Sequence, residues 1–329
     1  MNGVTTFVAL LVVGVAYSNP ISKGNDNLRI TTDFFPEELV MYTAQNDIVK
    51  LHTPINNLNF DDDSDSDSDE EILIFFVEAV KANDGKVVNT ISVLKNREAT
   101  KLLEHGNDIA SSSDDSKNVF FGASDGIYVY NAKTNAAEKY GSITDNVIGI
   151  AKENGTDVIY ILTNEHVVYK VSEDGTVKEK IDKIKNAHQI VTDFQNNIFY
   201  VDGEKQVYVY SGGDVTKIKG LPSNPSYIAL LNPPFILEDS VPLVAGKKAF
   251  TIYVNGTSEF SEVVLDVHPT AYSMEASIIQ YYAYNKKIYE FNILAIILGE
   301  LLEEMKTFFE DKVDQIQSIA TRSRKDFGA

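Results

Sequence analysis

Five histidines are the side chains best suited to acid–base or metal chemistry, and their spacing favours neither. They are His52, His105, His166, His188 and His268, and no two of them are separated as in an HExxH zinc motif. The chain also lacks a Gly-x-Ser-x-Gly nucleophile motif, a Gly-rich phosphate loop and any cysteine. The sequence therefore predicts a protein that is not an enzyme, with no catalytic residue, no metal site and no cofactor.

The charge balance narrows the kinds of partner. The 329 residues include 29 Lys plus Arg against 48 Asp plus Glu, so the formal net charge is −19. Because like charges repel, this balance argues against nucleic acid or an anionic membrane as the main partner. The hydrophobic content of 43% is enough for a globular core.

The first residues have the pattern of a secretory signal peptide. Residues 4–16 form one apolar run, and Ala16 and Ser18 occupy the small-residue positions for cleavage before Asn19. We therefore expect a signal peptide over residues 1–18 and a secreted, extracellular protein, although the run also fits a buried strand. In that compartment Asn154 and Asn255, each in an Asn-Gly-Thr sequon, are the expected glycosylation sites.

Internal self-similarity is the most informative feature of the chain. Hairpins of alternating apolar and polar residues, bounded by Asn, Asp and Gly turns, recur every 37 to 44 residues or so. Residues 29–51 also match residues 189–210, since both contain Thr-Asp-Phe, at 32–34 and 192–194. The second strands of the hairpins centre on Val49, Tyr128, Tyr169, Tyr208, Ile252 and Tyr289, with a weaker copy around Thr90.

This period is typical of propeller blades. A four-stranded blade cannot bury both faces alone, and radial packing of several blades buries them. We therefore predict an all-β, six-bladed β-propeller over residues 19–291, with seven lean blades as an alternative count. A long β-sandwich, or two sandwiches, is the competing fold.

Two segments interrupt or follow the repeat. Residues 61–71 contain eight acids and three serines, and predict a disordered acidic loop. Residues 292–320 have apolar side chains at a helical period and predict an amphipathic helix, followed by a basic tail over 321–329. The helix would dock on the propeller, or would pair with a second copy or another protein as a homo- or hetero-oligomer.

A ligand of a propeller usually occupies one mouth of the central channel. Alignment of the repeats places five side chains near the starts of successive innermost strands, namely Arg29, Asn146, His188, Tyr227 and Tyr272. A cation, an amide, an imidazole and two phenols are suited to stack on and hydrogen-bond a flat, polar, partly anionic molecule. These five residues are the predicted ligand-binding set.

The signal peptide and the repeat together resemble the ommochrome-binding proteins of lepidopteran haemolymph. The likeness is carried by NVFFGASDGIYVYNAKT (118–134), DVIYILTNEHVVYKVSEDG (157–175) and NIFYVDGEKQVYVY (197–210). The resemblance implies a secreted carrier of an ommatin-type pigment, a planar and acidic molecule derived from tryptophan. The acidic segment and the C-terminal helix have no counterpart that we can match to that family.

These observations predict a secreted, non-enzymatic propeller that binds a small aromatic ligand by stacking and hydrogen bonding. The first alternative is an extracellular protein-interaction propeller that uses its rim or its C-terminal helix. The second is a metal-dependent lactonase or hydrolase, in which dispersed Asp and Glu side chains converge on a central divalent ion.

Overall fold

A computed structural model describes six stretches of the chain, residues 27–54, 72–81, 85–112, 118–234, 237–275 and 279–292. The predicted signal peptide, acidic loop and basic tail lie outside these residues. The predicted helix over 292–320 lies outside them too, apart from Asn292, which ends a strand. Within the described part, no helix has the length and apolar character needed to cross a membrane.

Twenty-five strands make up almost all of the regular structure in the described residues. The strands in the first part of the chain are β1 (Leu28–Ile30), β2 (Val40–Thr43), β3 (Asp47–His52), β4 (Ile74–Lys81), β5 (Val87–Lys95), β6 (Glu98–Glu104), β7 (Gly106–Ser111), β8 (Val119–Ala123), β9 (Gly126–Asn131), β10 (Ala136–Tyr140), β11 (Val147–Lys152), β12 (Ile159–Thr163), β13 (Val168–Ser172) and β14 (Val177–Lys180). The remaining strands are β15 (Ala187–Thr192), β16 (Ile198–Asp202), β17 (Val207–Ser211), β18 (Asp214–Lys217), β19 (Ile228–Leu230), β20 (Ser240–Ala245), β21 (Lys248–Tyr253), β22 (Ser258–Leu265), β23 (Ala271–Ser273), β24 (Ile279–Tyr284) and β25 (Lys287–Asn292). Two single-turn 3₁₀ helices, Thr32–Phe34 and Glu37–Leu39, separate β1 from β2.

The described strands form six sheets, which are the six blades of a β-propeller. Blades 1 to 4 are the consecutive sets β3–β6, β7–β10, β11–β14 and β15–β18, each ordered from the innermost strand outward. Blade 5 consists of β19–β22, and blade 6 of β23–β25. The predicted all-β, six-bladed propeller is therefore confirmed, and the sandwich alternative is wrong.

The N-terminal strands complete the last two blades. Strand β2 pairs antiparallel with β25 and is the outermost strand of blade 6, so the two ends of the propeller meet in one sheet. Strand β1 pairs in parallel with β22 and adds a fifth, outer strand to blade 5. The ring is therefore closed by hydrogen bonds between segments far apart in the sequence.

The core lies between neighbouring blades. Every residue of β8 and β12, the second strands of blades 2 and 3, is buried, whereas the outermost strand β14 is mostly exposed. Side chains from adjacent sheets interdigitate, as where Ile127 of blade 2 packs in one cluster with Val147 and Ile159 of blade 3. Burial on both faces explains why these second strands are continuous apolar runs.

One glycine marks how closely the blades approach. A Cβ atom added to Gly122 in β8 would lie 2.6 Å from Cγ1 of Val147 in the next blade. Any larger residue at this position would therefore push the innermost strand of blade 3 outward.

The match between residues 29–51 and 189–210 was wrong. Thr32–Phe34 forms a 3₁₀ turn. The second strand of each predicted hairpin is the third strand of a blade, whereas Val49 lies in β3, the innermost strand of blade 1. The third strand of blade 1 is β5, which contains Thr90, the position of the weaker copy. Removing the Val49 hairpin reduces seven apparent hairpins to six blades.

Candidate functional site

The innermost strands β3, β7, β11, β15, β19 and β23 surround the central channel. We call the opening where these strands begin the start mouth, and the opening where they end the end mouth. Residues at the same position of different blades, though distant in sequence, meet at the same mouth.

A cavity of about 310 Å³ occupies the channel and extends from the start mouth, at Tyr227, to Asn232 beyond the end of β19. All six innermost strands or the residues just before them contribute to its wall, and His188, Tyr227 and Tyr272 are among the lining residues. The structure thus brings together three of the five side chains in the predicted ligand-binding set.

Aromatic rings from neighbouring blades pair at the start mouth. The imidazoles of His166 and His188 stack with centroids 3.7 Å apart and an angle of 19° between their planes. The ring of Tyr227 lies 4.3 Å from that of His268, whose Nε2 is 2.7 Å from the carbonyl oxygen of Gly246. The predicted site residues His188 and Tyr227 are therefore packed against the rings of His166 and His268. Neither His166 nor His268 was predicted as a site residue from the sequence.

The phenol of Tyr272 has an unusual environment. Its hydroxyl group is buried and lies beside the hydroxyl of Tyr227. Burial raises the pKa of Tyr272 well above its ordinary value, and the proximity of Tyr227 adds to this effect. Burial also raises the pKa of Tyr227. Both phenols are therefore neutral at physiological pH, and their two neighbouring hydroxyls form a polar spot in the cavity wall.

His188 is neutral at the same mouth. Partial desolvation lowers its pKa, and the neighbouring His166 lowers it further. A neutral imidazole offers both a flat face and one nitrogen that accepts a hydrogen bond.

The cation of the cavity wall is Lys50. Its Nζ lies 3.1 Å from Oδ1 of Asp108, and the two residues come from the innermost strands of blades 1 and 2. The other carboxylate oxygen of Asp108 accepts a hydrogen bond of 3.1 Å from the amide of Ile150. Since Asp108 is buried and the Lys50 side chain is about half exposed, the ammonium group is the part of the pair that faces the channel.

The predicted position of Arg29 was wrong. Arg29 lies in β1, on the outer edge of blade 5, and forms a bidentate ion pair with Asp266 at 2.7–2.9 Å. The strand that contains Arg29 pairs in parallel with β22, away from the channel. The sequence did not indicate this position, because an added outer strand and an innermost strand have the same local pattern. The strand registers make Val49 the blade 1 equivalent of His188, and Lys50 the equivalent of Gln189.

Asn146 precedes the first residue of β11, near the predicted position, but it does not line the cavity. Its side-chain oxygen is buried without a hydrogen-bond partner among the described residues, and its backbone carbonyl accepts from the amide of Asn164 at 2.9 Å. Asn146 therefore lies near the start of β11 without contacting the cavity.

The end mouth contains a second group of polar side chains. Its members are His52, Ser111, Ser273, Glu275 and Asn232, which come from the ends of four different innermost strands or the residues that follow them. His52 and Glu275 are both buried, and their atoms Nδ1 and Oε1 are 2.9 Å apart. Repeat alignment did not detect this cluster, because its residue types differ from blade to blade.

The two sequon asparagines differ in their surroundings. The side chain of Asn255 is exposed in a tight turn and accepts hydrogen bonds from the amide and hydroxyl of Thr257. Asn154 is partly buried beside the end mouth, and its backbone amide donates to Oδ1 of Asn196 at 2.8 Å. Glycosylation of both residues stays a prediction, with Asn255 the more accessible acceptor.

No metal cluster is visible in the described stretches, where no three His, Asp or Glu side chains converge as ligands. The lactonase-type alternative therefore has no candidate site among these residues.

Comparisons with solved structures agree with the fold. The protein of the "Structure of U3-55K" aligns with a TM-score of 0.50 and 12% identity over 77% of this chain and 97% of that one. The RRP9 WD40 repeats align with a TM-score of 0.49 and 13% identity, over 77% of this chain and 96% of that one. PorZ, a surface component of the type-IX secretion system of Porphyromonas gingivalis, has a TM-score of 0.45 and 9% identity over 75% of this chain and 37% of that one.

At such identities the first of these likenesses supports the propeller fold alone. No protein-family model matches the chain, and no curated protein matches it either. Function must therefore be argued from the two mouths of the channel.

Proposed function

We propose that this chain is a secreted carrier that binds a planar, acidic aromatic molecule at the start mouth, with an ommatin-type pigment as the leading candidate. The observation that carries this proposal is the cavity of about 310 Å³ whose wall includes His188, Tyr227 and Tyr272. A volume near 300 Å³ is within the range of small-molecule sites in proteins.

The chemistry of the wall suits such a ligand. The rings of Tyr227 and His188 offer flat surfaces for a conjugated ring system. The neighbouring hydroxyls of Tyr272 and Tyr227 would exchange hydrogen bonds with a ligand oxygen or nitrogen. The ammonium group of Lys50 would attract an acidic substituent, although it shares its charge with Asp108.

Binding at this mouth requires no bond to be made or broken. The ligand would be held by apolar contact, stacking and hydrogen bonds inside a rigid ring of strands. Since the rings are fixed by packing between blades, little side-chain entropy would be lost on binding.

Protein interaction is the second candidate, and one observation favours it. Strand β1 adds to the outer edge of blade 5 through parallel pairing of Arg29 with Val264, so that a blade edge in this molecule accepts an extra strand. A partner segment would bind another blade edge by the same strand addition.

Titration of the purified protein with an isolated ommatin tests the carrier proposal. Because the chain has 17 tyrosines and no tryptophan, quenching of tyrosine emission reports occupancy of the channel. We expect saturable quenching with one equivalent of pigment, and a visible absorption band in protein purified from its natural source. Absence of saturable binding, in a colourless protein that elutes as a complex, would favour the interaction candidate instead.

A further inference from the structure

The end mouth brings together side chains that act as a unit in hydrolytic enzymes. Ser111 is the last residue of β7 in blade 2, and His52 is the last residue of β3 in blade 1. Glu275 follows β23 of blade 6. Because innermost strands of neighbouring blades end at the same mouth, the ring places a serine, an imidazole and a carboxylate side by side.

The distances match those of a nucleophile, a base and an orienting group. Oγ of Ser111 is 2.8 Å from Nε2 of His52, and Nδ1 of the same ring is 2.9 Å from Oε1 of Glu275. When the imidazole has its proton on Nδ1, that N–H group faces the carboxylate of Glu275. Nε2 is then free to accept a hydrogen bond from the hydroxyl of Ser111. The Nδ1 contact is close but poorly aligned for a hydrogen bond, as is common in unliganded sites of this type.

Further contacts hold the carboxylate in place. The hydroxyl of Ser273 donates to Oε2 of Glu275 at 2.7 Å, and the amide of Asn232 donates to Oε1 at 3.0 Å. Burial alone would raise the pKa of Glu275, but the contact with the His52 imidazole and the donated hydrogen bonds outweigh burial and lower it. The carboxylate is thus ionised and fixed beside the imidazole.

The serine is accessible although its partners are buried. His52, Ser111 and Ser112 line a cavity of about 50 Å³ at the end mouth, and Ser111 is only partly buried. The hydroxyl of the adjacent Ser112 is buried and has no hydrogen-bond partner among the described residues. A hydroxyl donor without a partner, beside an activated serine, is suited to stabilise an oxyanion.

We propose that the end mouth is a serine hydrolase site for esters of small acyl groups, with Ser111 as the nucleophile and His52 as its general base. Glu275 is a positioning residue that acts through the imidazole. A cavity of about 50 Å³ has room for an acetyl-sized group, with the alcohol part of the ester left outside in the mouth. This site opens at the opposite mouth from the carrier site, and Ile150 and Asn232 line both cavities.

The reaction balances without any further reagent. Oγ of Ser111 forms a bond to the ester carbonyl carbon as its proton moves to Nε2 of His52. The tetrahedral intermediate then breaks the bond to the alcohol oxygen, which takes that proton and leaves. Water, deprotonated by the same imidazole, attacks the acyl-serine and releases the carboxylic acid, and the proton on His52 returns to Ser111.

A small alkyl fluorophosphonate applied to the full chain tests this proposal. We expect one covalent adduct by intact mass, located on Ser111 by peptide mapping, together with turnover of p-nitrophenyl acetate. Ser111→Ala should abolish both, and the exposed-serine control Ser142→Ala should behave as wild type. His52→Gln should slow labelling by about 100-fold or more, the usual loss for a general base.

Glu275→Gln distinguishes positioning from a merely structural role. The uncharged amide no longer stabilises the imidazolium, so labelling should slow by about tenfold or more and its rate–pH profile should move to lower pH. Lys152 and Asp193 line the same cavity and are unchanged in this variant, so they cannot account for the difference.

Two results would overturn the proposal. One is a wild-type protein that melts as a single folded species and yet remains unlabelled. The other is equal labelling of the Ser111→Ala variant, which would assign the reactivity to another side chain. Since Ser111→Ala removes a single partly exposed hydroxyl, it should fold even if His52→Gln does not.

Discussion

Lys50 and Asp108 form an ion pair between the innermost strands of blades 1 and 2, with Nζ and Oδ1 3.1 Å apart in the wall of the channel. Asp108 also accepts the backbone amide of Ile150 in blade 3, so this one carboxylate connects three blades. The half-exposed ammonium group of Lys50 is the part of the pair that we propose an acidic ligand would contact.

Replacement of this cation should weaken binding of an acidic pigment. We expect Lys50→Gln to reduce ommatin affinity about tenfold, through loss of a charge-assisted hydrogen bond, while lowering stability by no more than about 1 kcal/mol. Arg29→Gln is the matched control, because its ion pair with Asp266 lies on the outer edge of blade 5. If titration with ommatin showed that Arg29→Gln binds more weakly than Lys50→Gln, the assignment of Lys50 to the ligand site would be wrong.

Removal of one buried hydroxyl separates ligand binding from folding. Because the Tyr272 hydroxyl is buried beside the Tyr227 hydroxyl, Tyr272→Phe should lower the free energy of unfolding by no more than about 1 kcal/mol. Ommatin affinity should fall about five- to tenfold, as expected for loss of one hydrogen bond to the ligand. Calorimetric melting with a parallel titration measures both effects, and a destabilised variant that binds normally would be evidence against this assignment.

The ring surfaces of the start mouth are tested by truncation. Tyr227→Ala and His188→Ala should each weaken binding about tenfold without unfolding the propeller, since each removes a flat contact surface at the edge of the core. Affinity is measured by quenching, and retention of the fold by circular dichroism. If both variants bound like wild type, the ligand site would lie elsewhere than the start mouth.

Local sequence pattern was enough to predict the blades but not the order of their strands. Alternation in segments such as Gly126–Asn131 and turns such as Asp125-Gly126 report on neighbours in the chain, and they predicted the hairpins correctly. They do not distinguish an innermost strand from an outer one, since both alternate. Arg29 was misplaced for this reason.

The end mouth could not have been predicted in this way. His52, Ser111 and Glu275 belong to three blades and become neighbours only when β2 pairs with β25 and the ring closes. Each looks like an ordinary strand-end residue in the sequence. His188, Tyr227 and Tyr272 were found because each lies within two residues of the start of an innermost strand.

Acid should remove the contribution of Glu275 to stability. Its pKa in the folded protein is lowered, so its stabilising effect is complete above the unfolded value of about 4.3 and is lost as the pH falls through the folded value. The difference in melting temperature between wild type and Glu275→Gln should therefore be largest above about pH 5 and shrink below about pH 4. The exposed-site control Glu98→Gln should show no such trend. A difference that grew on acidification would show that the carboxyl is protonated in the folded protein.

The most direct test of the carrier account is a crystal structure of the protein with an ommatin added before crystallisation. The account predicts electron density for one pigment in the start mouth, with its ring system against Tyr227 and His188, an acidic group near Lys50 and a polar atom within hydrogen-bond distance of the Tyr272 hydroxyl. An empty channel in crystals grown with saturating pigment, or pigment bound only on the outer surface of a blade, would contradict it.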